Sequence, residues 1–127
     1  MRFSMPQYPV EFEIPDGWLS EAGMIEFKRV GVAYRSSDAA AHLVPISAIE
    51  PIPRLTGDPN DWHGFNRVRL VSLLKAFVAG DDIEPVPLFK FPIFEFAPSP
   101  YRFRAIDGFH RFYGSVAAGF SHLPATY

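Results

Sequence analysis

The stretch Asp107-Gly108-Phe109-His110-Arg111 sets a carboxylate, a glycine, an imidazole and a guanidinium side by side in the chain. It falls between an alternating run, Tyr101 to Ile106, and a run with helical spacing that begins near Phe109. A strand, a tight Asp-Gly turn and an immediate helix leave several unpaired backbone N–H groups aimed at one spot, where the helix dipole favours an anion. Phosphate suits such a spot. Gly108 permits a left-handed backbone and the close approach of a ligand, while His110 and Arg111 add donors that carry charge in the first helical turn. Cations there oppose the dipole, and an anionic ligand would explain them. The alternative is structural: Asp107 serves only its local amides, and His110 and Arg111 are solvated. The residues by themselves leave both readings open.

The turn needs neighbours. From Phe65 to Ala79 the period is helical, with Leu70, Leu73, Leu74, Phe77 and Val78 on one stripe and Gly80 as the stop. Arg69, Ser72 and Ala76 share a side away from that stripe, so a basic group and a hydroxyl stand one turn apart on a face open to ligand or solvent. The helix expected from about Phe109 to Ala118 turns Phe112, Tyr113, Val116 and Ala117 inward. Gly119 is its left-handed stop and Phe120 closes the Schellman contact.

The strands are shorter. Residues 1 to 23 carry Pro6, Pro9, Pro15 and the Asp16-Gly17 turn signal, which predicts irregular chain with at most a short strand near Val10 to Ile14. Met24 to Tyr34 alternates and predicts a strand or a hairpin folded at Gly31. His42 to Ile49 reads as a short strand entering the proline-rich turn Glu50-Pro51-Ile52-Pro53, and Thr56 to Gly64 as a polar loop. Glu84 to Phe96 is strand-like, with Pro87 and Pro92 pushing it toward a sheet edge or a bulge. The turn Ala97-Pro98-Ser99-Pro100 then makes it a hairpin with Tyr101 to Ile106. His122 to Tyr127 offers one more strand. The expected class is α+β: a small mixed sheet packed with a few helices, in one domain spanning 1–127.

Composition narrows the function classes. A chain of 127 residues, 48% hydrophobic and 16% aromatic, has the length and apolar content of one globular domain. Its formal net charge of -2 argues against a protein whose main work is neutralising a nucleic-acid backbone, so nucleic acid is not the expected partner. With no cysteine there is no thiolate metal site and no thiol nucleophile. His42, His63, His110 and His122 lack the spacing of a zinc site, and no metal site is expected from them. No run of about 18 apolar residues occurs, and the chain reads as cytoplasmic, away from the membrane. The Phe-dense run VPLFKFPIFEF has to be covered, which makes a homodimer or another protein partner the competing expectation.

From Leu43 to Phe120 the order of these segments resembles the ParB/sulfiredoxin superfamily. LVPISAIEPIP matches its short strand and proline-containing turn, and IDGFHRFYGSVAAGF its phosphate turn and small-residue helix ending in Ala-Gly. Residues 43–127 look like the family core, and 1–42 an extension without a counterpart. The resemblance implies that Gly108, Phe109, His110 and Arg111 hold the phosphates of a nucleotide such as ATP, ADP or CTP, with Mg²⁺, and that Asp107 is the acidic residue preceding the turn. It also implies that Arg69 and Ser72 make the basic and hydroxyl contacts of the earlier helix. Phosphotransfer or nucleotide hydrolysis would then use Asp107 or Glu50 as metal ligand or base. The chain departs from the pattern at Phe109, where sulfiredoxins place their reactive cysteine, so sulfinic-acid reduction is not expected. The carboxylate of the ParB-like serine kinases corresponds to Pro53, with Glu50 displaced nearby. Two further readings stay open: a non-catalytic interaction module retaining the fold, and a DNA-binding or nuclease-type ParB-like protein.

Overall fold

In the computed structural model, which describes residues 1–7, 10–54, 57–92 and 100–127, the expected α+β class holds. The chain opens with β1 (Arg2–Ser4) and β2 (Glu11–Glu13), an antiparallel pair with Phe3 opposite Phe12. There follow α1 (Asp16–Ala22), β3 (His42–Pro45), a 3-10 turn (Ile46–Ala48), α2 (Arg67–Ala79), β4 (Val86–Lys90), β5 (Phe103–Ala105), α3 (Phe109–Ala117) and β6 (His122–Thr126). The second sheet has the order β3-β6-β4-β5. β3 and β5 run antiparallel to their neighbours, and β4 pairs in parallel with β6. A parallel pair needs a crossover, and β5 with α3 supplies it. No helix among the described residues is long and apolar enough to cross a membrane.

α2 and α3 form where expected, because their apolar stripes and glycine stops agree. Asn66 caps α2, its side chain accepting from the Arg69 N–H, and Gly80 ends the helix in the left-handed region at φ 70°. Its buried face is Leu70, Val71, Leu74 and Phe77. Val71 is buried where the stripe predicted Val78, which is exposed, and Leu73 is only partly buried. On α3, Phe112 and Tyr113 face inward as expected, while Val116 and Ala117 are only partly buried and Gly114 and Ser115 are fully enclosed. At Gly114 an added Cβ would lie 3.2 Å from Leu73 Cδ2, so the small residue sets how closely α3 approaches α2. The Schellman end is present: the Phe120 N–H donates to Ser115 O at 3.0 Å and the Gly119 N–H to Val116 O at 3.0 Å.

Three expectations need correction. Residues 1–23 are more ordered than their prolines suggest, since Pro15 precedes the first turn of α1, where a missing N–H costs nothing, and Leu19 and Ala22 bury the helix. Met24 to Tyr34 contains no strand. Ile25 and Val30 are exposed, and the segment is fixed instead by buried Tyr34, stacked on Phe77 at 5.3 Å and donating its hydroxyl proton to Glu84 O. Pro87 does not make β4 an edge strand. It pairs with Thr126 at the end of a short parallel ladder, and its carbonyl still accepts from the Ile106 N–H. Residues 1–42 contribute to the same core: Met5, Phe12, Ile14, Leu19, Ala22 and Tyr34 belong to one cluster with Val44, Leu74, Val86 and Phe112. Gln7 reinforces this by donating from Nε2 to Ile46 O at 2.7 Å and Ile49 O at 2.8 Å. The hairpin of β4 with β5 forms as expected, whereas Pro9, Thr56, the end of the Glu84 to Phe96 run and the Ala97 to Ser99 part of its turn lie outside the described residues.

Candidate functional site

α3 starts directly from the turn after β5. Gly108 sits at φ 97°, ψ 32°, a conformation open to glycine, and a Cβ there would stand 3.0 Å from Val86 Cγ1. Both the backbone twist and the packing against β4 therefore require Gly108. No side chain caps α3, in contrast to α2. The Asp107 carboxylate instead accepts from the adjacent Gly108 N–H at 2.7 Å, which places one negative charge within the turn.

The N-termini of α2 and α3 lie together. Between Trp62 and Phe65 the chain makes a tight turn with reciprocal backbone hydrogen bonds of 2.9 and 2.8 Å, and its central residues, His63 at φ 49° and Gly64 at φ 91°, are both left-handed. That turn delivers Asn66, whose backbone N–H donates to His110 Nε2 at 3.1 Å. A ring nitrogen that accepts a hydrogen bond is unprotonated, so the neutral imidazole carries its proton on Nδ1. Burial holds His110 below the ordinary histidine value; the charge of Arg69 pushes the same way, and Asp61 opposes it. The Asn66 side chain also reaches Asp61 Oδ1, at 3.4 Å. Asp61, Asn66, Arg69 and His110 thus form one cluster beside the turn.

The remaining predicted residues are placed differently. Arg111 lies along the turn, its Nε 3.4 Å from where a Cβ on Gly108 would stand, and its Nη1 donates to Glu84 O at 3.1 Å and Pro85 O at 2.8 Å, locking α3 to the entry of β4. Its charge also acts on Tyr34, whose hydroxyl is nevertheless pushed up to about 12, chiefly by burial. Phe109 is a packing residue, with its ring 5.4 Å from Phe65 and 5.0 Å from Tyr113. Glu50 is ion-paired with Arg104 at 3.0 Å along β5. Ser72 is exposed and lines a shallow depression facing α1, together with Glu21, Arg67 and Lys75. The fold therefore brings Arg111 against Gly108 and the charge of Arg69 to bear on His110, while Phe109, Glu50 and Ser72 make the packing, ion-pair and surface contacts just described.

Sequence reasoning missed Asn66 and Asp61. The available signal was an N-cap residue just before the helical run, which marks where α2 begins but not what its amide meets. No family model, curated protein or solved structure matches this chain. The reading of the site therefore rests on its own geometry.

Proposed function

We propose that this domain binds a phosphorylated ligand, a nucleotide di- or triphosphate fitting best, at the N-terminus of α3. The observation that carries the reading is an uncapped helix start at left-handed Gly108, held beside the N-terminus of α2 and the Arg69 guanidinium. The N–H groups of the first turn would take phosphate oxygens, and Arg69 would supply the cation. His110 and Arg111 act as positioning residues, the first by pinning Asn66 and the second by anchoring the turn to residues 84 and 85. The resemblance of the Asp107 to Arg111 block to the ParB/sulfiredoxin phosphate turn supports the same assignment.

Asp107 gives the reading a specific chemistry. Its carboxylate competes with a bare phosphate for the turn, whereas a magnesium ion carried in by a nucleotide would turn that competition into bridging, since Mg²⁺ is commonly held by one or two carboxylates plus substrate phosphates. Calorimetric titration with ATP, CTP and ADP, with and without Mg²⁺, tests this on wild type and Asp107→Asn. The expected result is binding by wild type that Mg²⁺ strengthens, and binding by Asp107→Asn that Mg²⁺ does not. Absence of binding by both proteins at about millimolar nucleotide, a gain of only about 4 kcal/mol, overturns the proposal. Phosphate release in the same mixtures separates hydrolysis from binding alone.

A further inference from the structure

A cleft of about 790 Å³ opens between the segment 23–35 and the C-terminal end of α2. None of its lining residues belongs to the Asp107 to Arg111 turn. Its size lies within the range of about 300–1,000 Å³ typical of small-molecule sites. The floor is aromatic: Phe120 meets Phe27 and Phe77 edge-to-face, at 6.4 and 5.6 Å between ring centres. Such edges present an apolar, weakly polarised surface that accepts another ring.

The rim carries charges of both signs. Lys28 and Arg35 stand with Glu26 and Asp81 around the same opening, all exposed, and among the described residues none of them forms an ion pair. The Arg35 Nη1 donates to Gly80 O at 3.4 Å, so that cation is set at the carbonyl end of α2, where its charge also acts on Asp82. The wall is built rather than loose. Val32 O accepts from the Ser121 and His122 N–H groups at 3.1 and 3.0 Å, the Ile83 N–H donates to Arg35 O at 2.9 Å, and the Asp82 carboxylate takes the Ser37 N–H at 2.7 Å. A long connection without helix or strand that is nonetheless fastened at several points is characteristic of a functional loop.

We propose that this cleft binds a small zwitterion with an apolar body, the chemistry of an aromatic α-amino acid. The ring lies over the Phe27, Phe77 and Phe120 floor. The carboxylate meets Arg35 and Lys28, and the ammonium meets Glu26 and Asp81.

The test is an amide-resolved NMR titration of the full chain with phenylalanine, alongside 3-phenylpropionate, which lacks the ammonium, phenethylamine, which lacks the carboxylate, and glycine, which lacks the ring. Phenylalanine should shift amides of residues 26–35 and 77–81, with each analogue about tenfold weaker or more, as expected for the loss of one charge-assisted contact or of the ring. Arg35→Ala should weaken phenylalanine about tenfold and leave phenethylamine unchanged, because only the carboxylate contact is lost. Val78→Trp, which fills the mouth, should abolish binding, and the exposed Arg35→Ala variant keeps the test valid if Val78→Trp fails to fold. No shifts at about millimolar phenylalanine, shifts elsewhere on the protein, or an analogue lacking either charge that binds as tightly as phenylalanine would each overturn the proposal.

Discussion

The backbone N–H of Asn66 donates to Nε2 of His110 at 3.1 Å, joining the starts of two helices through residues 44 apart in sequence. The contact exists only while the ring nitrogen is unprotonated, which makes it sensitive to acid.

A pH dependence of stability follows. The folded protein holds His110 below its ordinary value of 6.5, so the unfolded chain binds a proton more readily than the native one. Stability from this site is fully present above about 6.5 and is lost as pH falls through the lower folded value. Thermal melting of wild type and His110→Gln between pH 7.5 and 5 measures it. The wild type should lose more of its Tm on acidification than the variant, whose amide oxygen accepts from Asn66 at every pH. Parallel losses in the two proteins would remove His110 as the responsible group.

Arg111→Ala separates anchoring from ligand contact. Its Nη1 serves two carbonyls at the entry of β4, and charge-assisted hydrogen bonds contribute about 1.5–3 kcal/mol, less where solvent reaches them. The expected outcome is a stability loss of about 1–2 kcal/mol, read as a Tm drop of roughly 3–10 °C for a domain of this size. Nucleotide affinity of the folded variant should change less than threefold. An unchanged Tm with greatly weakened binding would instead place the guanidinium on the ligand.

Gly108→Ala and Gly80→Ala form a matched pair. Both glycines adopt positive φ, but a Cβ at Gly80 meets nothing within 4 Å, whereas one at Gly108 strikes Val86. Left-handed strain costs about 1–2 kcal/mol at each site, and overpacking adds about 1–3 kcal/mol at Gly108 alone. Denaturant melts should rank Gly108→Ala clearly below Gly80→Ala. Equal losses would show that Val86 yields freely to the added methyl.

Gln7→Ala tests whether the first residues are part of the domain. Its side-chain amide donates to the carbonyls of Ile46 and Ile49; Ile46 O keeps the Ile49 N–H at 3.1 Å, so the substitution leaves the Ile49 carbonyl without this partner, at a cost of about 1–3 kcal/mol. Urea unfolding should show a midpoint shift of that order within a single transition. A variant as stable as wild type would argue that the N-terminal segment is only laid against the core.

Sequence alone determined the elements whose signals are local. The α2 and α3 helices, the Gly80 and Gly119 stops and the hairpin of β4 with β5 were all legible, since caps, apolar period and turn chemistry act within a few residues. The glycine requirement at Gly108 was also legible, though its second cause, the approach of Val86, was not. Tertiary structure decided the rest. The run from Met24 to Tyr34 has strand composition, yet its fate was set by the burial of Tyr34 on Phe77 and by ties to Val32 and Arg35 from distant segments. Arg111 and His110 read as ligand donors because both stand in a helix's first turn. Their partners within the chain, the carbonyls of residues 84 and 85 and the amide of Asn66, are supplied by other parts of the sequence. A side chain's type fixes what it can bond, but only the packing of elements far apart in sequence fixes which groups come within its reach.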